Sequence, residues 1–250
     1  MNSADTKVVL LVGGLGTRLR PVLSSSPKVL ASVGKGSFLD LLLRQLRNQG
    51  FTRIVMCTGY MADQVENAYG NGESWEMAIE YSRESQPMGT AGALKLAAPS
   101  LQNSSYFIVM NGDSFLEIDL ERLLSFHKAK GGPITIAVVR VPNTSRYGTV
   151  VVGSDQRVTG FEEKTGREVP GLINAGIYVI DRDVLRHISD GPGSLERDVF
   201  PKWLERNIFA FESAGVFIDI GTPEDYAKAQ AIYDRLENAA SHARAGITEE

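Results

Sequence analysis

A glycine-rich segment behind a short apolar run constrains the fold of this chain more than any other feature. Val8 to Val12 are apolar and are followed at once by GGLGTRLRPVLSSSPKVL, which begins at Gly13. Glycine adopts positive φ freely, so such a loop can turn sharply and direct backbone N–H groups at an anion. Arg18 and Lys28 add two cations that suit a polyphosphate. The pattern predicts a strand that ends in a phosphate-binding loop.

Two better-known phosphate loops do not fit these residues. A P-loop requires GxxxxGK[ST], with a lysine directly after the last glycine, and no lysine follows Gly14 or Gly16 in that way. A dinucleotide-binding fingerprint requires GxGxxG, yet Leu19 stands where its third glycine would be. The chain also lacks an obvious ribose-binding acid after its second predicted strand. These residues argue against an NAD-binding oxidoreductase.

Composition narrows the class of protein. With 250 residues, 43% of them hydrophobic, the chain is long enough for one large α/β domain or two small ones. A net charge of -4 argues against a nucleic-acid partner. The lone Cys57 excludes an intrachain disulfide and indicates a buried thiol in a reducing compartment. The polar N-terminus and the short apolar run predict no signal peptide and no membrane association, hence a soluble cytoplasmic protein.

Strand-like and helix-like patterns alternate through the first half of the chain, which predicts a mainly parallel sheet flanked by helices. After Gly131, Gly132 and Pro133 the sequence becomes richer in β-branched residues. We therefore predict a single α/β domain at 1–236, with halves at 1–132 and 133–236, and a flexible tail at 237–250. Predicted helices lie at 38–48, 62–69, 90–98, 120–130, 195–206 and 223–236. Predicted strands lie at 8–12, 53–58, 78–81, 106–110, 134–141, 148–152, 157–162, 173–180, 208–211 and 216–220.

Two acidic motifs stand at predicted strand ends. NGD ends at Asp113, and DIGTPEDY begins at Asp219. Ligands of open α/β sheets bind at the carboxyl ends of the strands, so we expect Asp113 to lie near the loop at Gly13. Mg²⁺ prefers carboxylate oxygens together with phosphate oxygens and water. Taken alone, NGD is also ordinary turn chemistry, and Asp219 could cap the helix that begins near Pro223.

The motifs together resemble the sugar-phosphate nucleotidyltransferases. The resemblance covers roughly residues 7 to 232 and implies a Rossmann-like, glycosyltransferase-A-like fold whose second half is β-rich and binds the sugar. It departs from the family at Val12, where alanine is usual, and around Lys35, where GKGS lacks the usual Lys-Pro pair. The motifs that carry it are GGLGTRL at 13–19, the Pro-Lys pair at 27–28, SQPMGTAGAL at 85–94, NGD at 111–113, RYGTV at 146–150, FEEK at 161–164, NAGIYV at 174–179 and DIGTPEDY at 219–226.

The resemblance also implies roles for individual residues. Asp113 and Asp219 would hold a catalytic Mg²⁺ between them, and Arg18, Lys28, Asp113 and Lys164 would be catalytic. The duplicated acid in FEEK leaves open whether Glu162 or Glu163 contacts the sugar. The implied nucleotide-binding residues are Leu11, Val12, Gly13, Gly14, Gly16, Thr17, Arg18, Glu84, Pro87, Gly89, Thr90, Asn111 and Gly112. The implied sugar-phosphate-binding residues are Tyr147, Gly148, Glu162, Glu163, Lys164, Asn174, Ala175 and Gly176.

The resemblance implies transfer of a nucleotidyl group from an NTP to a sugar 1-phosphate, with release of pyrophosphate. It is strongest to a branch of the family that joins GTP to a D-glycero-D-manno-heptose 1-phosphate for surface polysaccharides, such as capsular polysaccharide or lipopolysaccharide. Glu84 could accept from guanine, although it could equally lie in a solvated loop. Mannose 1-phosphate with GTP, another NTP and sugar pair, and a non-catalytic sensor remain the alternatives. The helix at Pro223 and the tail are candidate contacts of a homodimer.

Overall fold

The computed structural model describes residues 3–17, 26–162, 166, 168–230 and 233. Five α-helices are α1 Phe38–Asn48, α2 Ala62–Tyr69, α3 Gly89–Leu96, α4 Leu120–Lys130 and α5 Phe200–Trp203, and residues 223–230 are also helical. The strands are β1 Lys7–Leu11, β2 Ser32–Val33, β3 Gly36–Ser37, β4 Arg53–Thr58, β5 Ala78–Arg83, β6 Tyr106–Asn111, β7 Ser114–Leu116, β8 Ile134–Val141, β9 Thr149–Val152, β10 Val158–Glu162, β11 Gly171–Asp181, β12 Ile208–Ser213 and β13 Phe217–Asp219.

A mixed, mostly parallel sheet of nine strands forms the centre of the described chain, which confirms the predicted fold class. β1 lies between β4 and β6 and is parallel to both, while β5 extends the sheet beyond β4. β11 runs antiparallel to β6 and joins the strands of the second half to the same sheet. Because the chain places β4 on one side of β1 and β6 on the other, a crevice opens at the carboxyl end of β1.

Side chains of β1 alternate between two hydrophobic cores, one on each face of the sheet. Val8 and Leu10 pack into the core that also contains the leucines of α1. Val9 points to the opposite core, which contains Leu94 of α3. Strands that are covered on both faces are apolar throughout, which explains the unbroken apolar run at the start of the chain.

Local capping interactions set the ends of α1, whose bounds match the predicted 38–48. Ser37 Oγ accepts from the Asp40 N–H at 3.2 Å, and the Ser37 N–H donates to Asp40 Oδ2 at 2.8 Å, which together form a capping box. Gly50, two residues beyond the helix, has a φ of 79° and lets the chain turn back toward β4.

The predicted continuous helix at 195–206 is wrong. A π-helical turn spans Leu195–Val199, α5 follows, and a 3₁₀ turn ends the segment at Leu204–Arg206. Pro201 has no N–H to donate to the residue four before it, so the regular ladder fails there, and the Phe200 N–H reaches back to Leu195 O instead. The π-helical turn projects Glu196 and Arg197 toward a cavity described below.

The predicted helix at 90–98 is shorter than expected. It starts at Gly89 and ends at Leu96, and Pro99 lies in a separate 3₁₀ turn, Ala98–Leu101. Most of the predicted C-terminal helix beyond residue 230, and all of the tail at 237–250, lie outside the described residues. Within the part of the chain that the structure covers, no helix combines the length and the apolar character needed to cross a bilayer.

Candidate active site

The loop after β1 lines a cavity of about 410 Å³ at the carboxyl end of the sheet. Gly13 packs so closely against the segment after β4 that a side chain there would stand 3.0 Å from the Gly59 nitrogen. Gly16 has a φ of 56°, and an added Cβ would lie 3.0 Å from Lys28 Cβ. Glycine at these two positions lets the loop lie flat between the strand ends and Lys28.

Most of the predicted nucleotide-binding residues line this cavity. Gly112 does not line it. Its N–H donates to Leu11 O at 2.9 Å, and it packs on Val12. Arg18 lies outside the described residues, so its role stays a sequence-based prediction. The predicted residues that line the cavity are Leu11, Val12, Gly13, Gly14, Gly16, Thr17, Glu84, Pro87, Gly89, Thr90 and Asn111.

Glu84 directly follows β5 and lines the same cavity. Its Oε2 accepts from the Met88 N–H at 3.1 Å, and its Oε1 lies against Gly13 and Gly59. Burial raises the pKa of the Glu84 carboxyl above its ordinary value, although the Met88 N–H acts in the opposite direction. The carboxylate retains lone pairs for a ligand that offers two donors on one edge.

Lys28 and two carboxylates form a charged corner of the same cavity. The small antiparallel ribbon of β7 and β13 pairs Ser114 with Asp219 and thereby brings Asp113 and Asp219 together. Lys28 Nζ lies 2.8 Å from Asp113 Oδ2 and 3.9 Å from Asp219 Oδ1. Its side chain is only 10% exposed, so this cation sits among acidic groups with little water around it.

The donor set at this corner suits a hard divalent cation. Asp113 and Asp219 offer carboxylate oxygens, which Mg²⁺ prefers. The positively charged Lys28 ammonium already contacts both of them. Among the described residues, no group of three or more His, Cys, Asp or Glu side chains is arranged to hold a metal. A metal ion held by these two carboxylates would complete its ligand shell with phosphate oxygens and water.

A second and larger cavity, of about 880 Å³, opens beside the first. A β-bulge in β11 between Asn174 and Tyr178 turns this strand toward the cavity. Gly176 sits in the bulge with a φ of 76°, and its N–H donates to Asn174 Oδ1 at 2.9 Å. The predicted sugar-site residues that line this cavity are Tyr147, Gly148, Glu162, Asn174 and Gly176.

Of the other predicted sugar-site residues, Ala175 is the one that the structure describes, and it does not line the cavity. Ala175 is 1% exposed, and its carbonyl accepts from Ser114 Oγ at 3.3 Å, because alternate residues of the bulged strand face the core. Glu163 and Lys164 lie outside the described residues. Glu162 Oε2 accepts from Thr149 Oγ1 at 3.4 Å, so the choice between the two adjacent glutamates stays open.

Sequence reasoning missed three charged residues of the second cavity: Arg146, Glu196 and Arg197. Arg146 forms an ion pair with the buried Asp225 at the start of the 223–230 helical segment. The signal for Arg146 was present, since it opens the motif RYGTV. Glu196 and Arg197 carried no such signal, because the sequence indicates an ordinary helix there and not the π-helical turn that exposes them to the cavity.

The two cavities share three lining residues: Asn111, Asp113 and Gly221. In the part of the chain that the structure describes, the buried Asn111 Oδ1 has no hydrogen-bond partner. Lys28 stands at the edge of this junction, within 2.8 Å of Asp113. Two ligands placed side by side in these cavities would meet beside a lysine and two carboxylates.

Comparisons with known proteins agree on one family. The profile of the family described as "Nucleotidyl transferase" matches residues 7–235. The chain is 35% identical over 226 residues to D-glycero-alpha-D-manno-heptose 1-phosphate guanylyltransferase of Aneurinibacillus thermoaerophilus, covering 90% of this chain and 96% of the relative. It is 36% identical over 235 residues to mannose-1-phosphate guanylyltransferase of Mycobacterium tuberculosis, covering 92% of this chain and 65% of that protein.

The chain spans 62 to 65% of the length of the first four mannose-1-phosphate guanylyltransferases that it matches. Among solved structures, HddC from Yersinia pseudotuberculosis complexed with GMP-PN superposes with a TM-score of 0.82 at 33% identity, covering 91% of this chain and 99% of that one. A putative glucose-1-phosphate thymidylyltransferase from Bacillus anthracis superposes with a TM-score of 0.82 at 22% identity, which supports the fold alone.

Proposed function

Because the chain belongs to the nucleotidyl transferase family, we propose that it transfers a guanylyl group from GTP to a sugar 1-phosphate. The products are a GDP-sugar and pyrophosphate. The sugar substrate that we propose is D-glycero-D-manno-heptose 1-phosphate. The reaction would take place in the cytoplasm, and its product would serve the synthesis of surface polysaccharides. We further propose that the nucleotide occupies the smaller cavity and the sugar phosphate the larger one.

The observation that carries this proposal is the junction of the two cavities. Asn111 and Asp113 line both, and Lys28 lies against Asp113. Nucleotidyl transfer requires two anionic substrates to meet with their reacting phosphates in line, and holding them so removes much of the entropic barrier. A glycine loop on one side and a wider polar cavity on the other supply the two binding places.

The chemistry at the junction needs cations more than a base. The second pKa of a phosphate monoester is about 6, so at neutral pH the sugar phosphate is already a dianionic nucleophile. The barrier then arises mainly from repulsion between this dianion and the triphosphate. In this proposal Lys28, which lies beside Asp113, neutralises charge on the transferred phosphoryl group. Arg18 on the leaving pyrophosphate and Lys164 on the sugar phosphate complete the assignment as predictions from the sequence.

Asp113 and Asp219 are the residues that would hold a magnesium ion in this proposal. When bound, the ion would supply Lewis-acid neutralisation of phosphate charge. The protein's part is to hold the two carboxylates in register through the β7 and β13 ribbon. The backbone supports this arrangement, since the Ile220 N–H donates to Asp113 O at 3.0 Å.

Glu84 supports guanine as the base. A carboxylate can accept together from N1–H and from the exocyclic amine of guanine, a pair of donors that adenine does not present. Glu84 lines the nucleotide cavity with Pro87 and Gly89, and its backbone N–H is anchored on Thr58 O at 2.9 Å. The HddC structure complexed with GMP-PN is consistent with this choice of base.

Heptose and mannose 1-phosphates remain the two candidates for the acceptor. The heptose assignment is supported by a relative that matches this chain over 96% of its own length. Mannose 1-phosphate is the second candidate, because relatives named for it are equally similar in sequence.

A substrate panel tests the proposal. Purified protein with Mg²⁺ is incubated with each of GTP, ATP, UTP and dTTP against heptose, mannose and glucose 1-phosphates, and pyrophosphate release is measured. We expect GTP with the heptose 1-phosphate to give the highest kcat/KM. Turnover with mannose 1-phosphate only would support the second candidate, and no turnover of any pair, with nucleotide still bound, would support a non-catalytic sensor.

A further inference from the structure

The loop that precedes the π-helical turn packs directly onto the helix of the nucleotide cavity. Gly89, at the start of α3, has a φ of 66°, and a Cβ on it would stand 2.4 Å from Gly193 O. The Ala91 N–H donates to Gly193 O, and the Gly193 N–H donates to Met88 O, both at 2.9 Å. The segment that carries Glu196 is therefore fastened to the edge of the nucleotide cavity by backbone hydrogen bonds.

Glu196 extends this link with its side chain. Its Oε2 accepts from Thr90 Oγ1 at 3.0 Å and from Ser194 Oγ at 2.8 Å. Its Oε1 accepts from the Tyr178 hydroxyl at 2.9 Å. Thr90 lines the nucleotide cavity, whereas Glu196 itself lines the larger cavity, so one carboxylate connects the two.

Tyr178 carries the link to the residues of the larger cavity. Its hydroxyl is fully buried and accepts from Asn174 Nδ2 at 2.9 Å, and the Asn111 side chain is a further hydrogen-bond partner. With its lone pairs engaged by these amides, the hydroxyl donates its proton to Glu196. Asn174 in turn accepts from the Gly176 N–H in the bulge. In this series of hydrogen bonds from Thr90 to Gly176, the donor and the acceptor of each bond are therefore fixed.

We propose that Glu196 is a positioning residue that couples binding in the nucleotide cavity to binding in the sugar cavity. This role rests on the proposed function, because it assigns one substrate to each cavity. Glu196 acts by holding Thr90 and Tyr178 in fixed rotamers. A ligand that restricts the motion of one of these side chains thereby also restricts the motion of the other. π-Helical turns of this kind recur at functional sites, and here the turn is what aims Glu196 between the two cavities.

The chain offers a matched control within the same turn. Asp198 is also a carboxylate of the π-helical turn, and its Oδ2 accepts from the Ser194 N–H at 2.7 Å. The Asp198 carboxylate contacts the turn itself, and among the described residues it forms no hydrogen bond with Thr90 or Tyr178. Asp198→Asn therefore perturbs the turn without removing the connection, whereas Glu196→Gln removes one acceptor of the connection and preserves its shape.

A binding cycle tests the proposal with the full chain. The Kd of D-glycero-D-manno-heptose 1-phosphate is measured by calorimetry with and without saturating α,β-methylene GTP and Mg²⁺, an analogue that cannot transfer its guanylyl group. For the wild type we expect the nucleotide to tighten sugar-phosphate binding roughly tenfold, within the usual range of coupling between sites. For Glu196→Gln we expect each ligand alone to bind within about twofold of wild type, and the tightening to disappear.

Kinetics supply the second readout. We expect Glu196→Gln to raise the KM for the sugar 1-phosphate at saturating GTP about tenfold, because the tightening is lost, and Asp198→Asn to keep both this KM and the coupling. Thr90→Val removes the hydrogen bond to Glu196 from the side of the nucleotide cavity, and it provides the test if Glu196→Gln does not fold. The double variant Thr90→Val with Glu196→Gln should show no further loss of coupling than either single variant.

The outcomes separate the two proposals. Coupling that persists in Glu196→Gln, a wild type that shows no coupling, or an equal loss in Asp198→Asn would overturn the role of Glu196. A wild type that forms no GDP-sugar from any acceptor contradicts the proposed function itself, whatever the binding cycle gives.

Discussion

Lys28 illustrates how a single residue can serve two states of a site. In the structure its ammonium lies 2.8 Å from Asp113 and 3.9 Å from Asp219, in the position that suits a cation between two carboxylates. A metal ion held by the two aspartates would compete with the ammonium for the same oxygens. In the proposed reaction the lysine would then be available to the phosphate, where its charge would count toward the transition state.

Lys28→Met is expected to move turnover and metal affinity in opposite directions. Loss of the cation should lower kcat on the order of a hundredfold, at least about 2.7 kcal/mol of transition-state stabilisation. The Kd of Mn²⁺ alone, measured by electron paramagnetic resonance without nucleotide, should fall about tenfold, because the variant no longer places a positive charge beside the two carboxylates that would bind the ion.

Lys35→Met, which removes an exposed lysine, should change neither quantity. Near-normal turnover of Lys28→Met would contradict the catalytic role of Lys28. Unchanged or weaker Mn²⁺ binding in Lys28→Met would contradict the competition.

Glu84→Gln tests base recognition at the same scale. Glutamine keeps one acceptor, but it replaces the other with a donor that faces the donors of guanine. We expect kcat/KM for GTP to fall by about 10- to 100-fold, since a hydrogen bond to a charged group contributes about 1.5 to 3 kcal/mol. The preference for GTP over ITP, which lacks the exocyclic amine, should narrow at the same time. An unchanged ratio of kcat/KM for GTP and ITP would show that Glu84 does not contact that amine.

At the level of elements, Asp225 attaches the 223–230 helical segment to the loop before β9. Thr222 Oγ1 accepts from the Asp225 N–H at 3.3 Å and donates to Asp225 Oδ2 at 2.9 Å. Arg146 joins Asp225 to the loop before β9, which also carries Tyr147 and Gly148 of the sugar cavity. Burial alone would raise the pKa of Asp225, but hydrogen bonds from Arg146, Thr222 and Lys228 outweigh it and lower the pKa below the ordinary value.

Asp225→Asn is expected to remove part of the acid sensitivity of folding. A carboxyl whose pKa is lowered by folding stabilises the folded state fully above its unfolded pKa, about 3.9, and this contribution is lost as the pH falls through the lower folded value. The wild type should therefore lose free energy of unfolding below about pH 4 more steeply than the variant does. At pH 7 the variant should be less stable by about 1 to 2 kcal/mol, since Arg146 is half-exposed.

Urea unfolding at pH 7, 4 and 3 measures both effects. Asp183→Asn is the control, because the Asp183 to Arg186 pair is almost wholly exposed and should contribute little. Parallel pH profiles for the wild type and Asp225→Asn would contradict this account of Asp225.

At the scale of the whole molecule, the nucleotide cavity is lined by residues from Leu11 to Gly221, so nearly the entire described sheet must be folded for it to exist. A ligand that binds only this folded state stabilises all of it. At about one hundred times its Kd, GTP with Mg²⁺ should add about 2.7 kcal/mol, which raises Tm by about 5 to 11 °C for a chain of this size.

Differential scanning fluorimetry with GTP and with ATP at equal concentration measures this shift. We expect the larger increase in Tm with GTP and a reduced increase in Asp113→Asn, which loses a carboxylate of the charged corner. Equal shifts with both nucleotides would argue against guanine selectivity.

The order of most strands and helices, the turn of the loop after β1 and most of the residues that line the cavity beside it could be predicted from the sequence alone. These features follow from short-range causes: the spacing of apolar side chains, the capping box at Ser37 and the freedom of glycine at Gly16. The division at residue 132 remains an interpretation, and β11 pairs with β6 across it in one sheet.

Only the tertiary structure decided which distant side chains meet. The approach of Lys28 to both aspartates depends on the pairing of β7 with β13, and the position of Glu196 depends on a π-helical turn packed against α3. Local sequence carries little information about the β7 and β13 pairing or about the π-helical turn. Both are set by the packing of the whole core, which involves residues far apart in the sequence. The distances from Lys28 to the two aspartates and from Glu196 to Thr90 therefore depend on the whole fold, and no single motif predicts them.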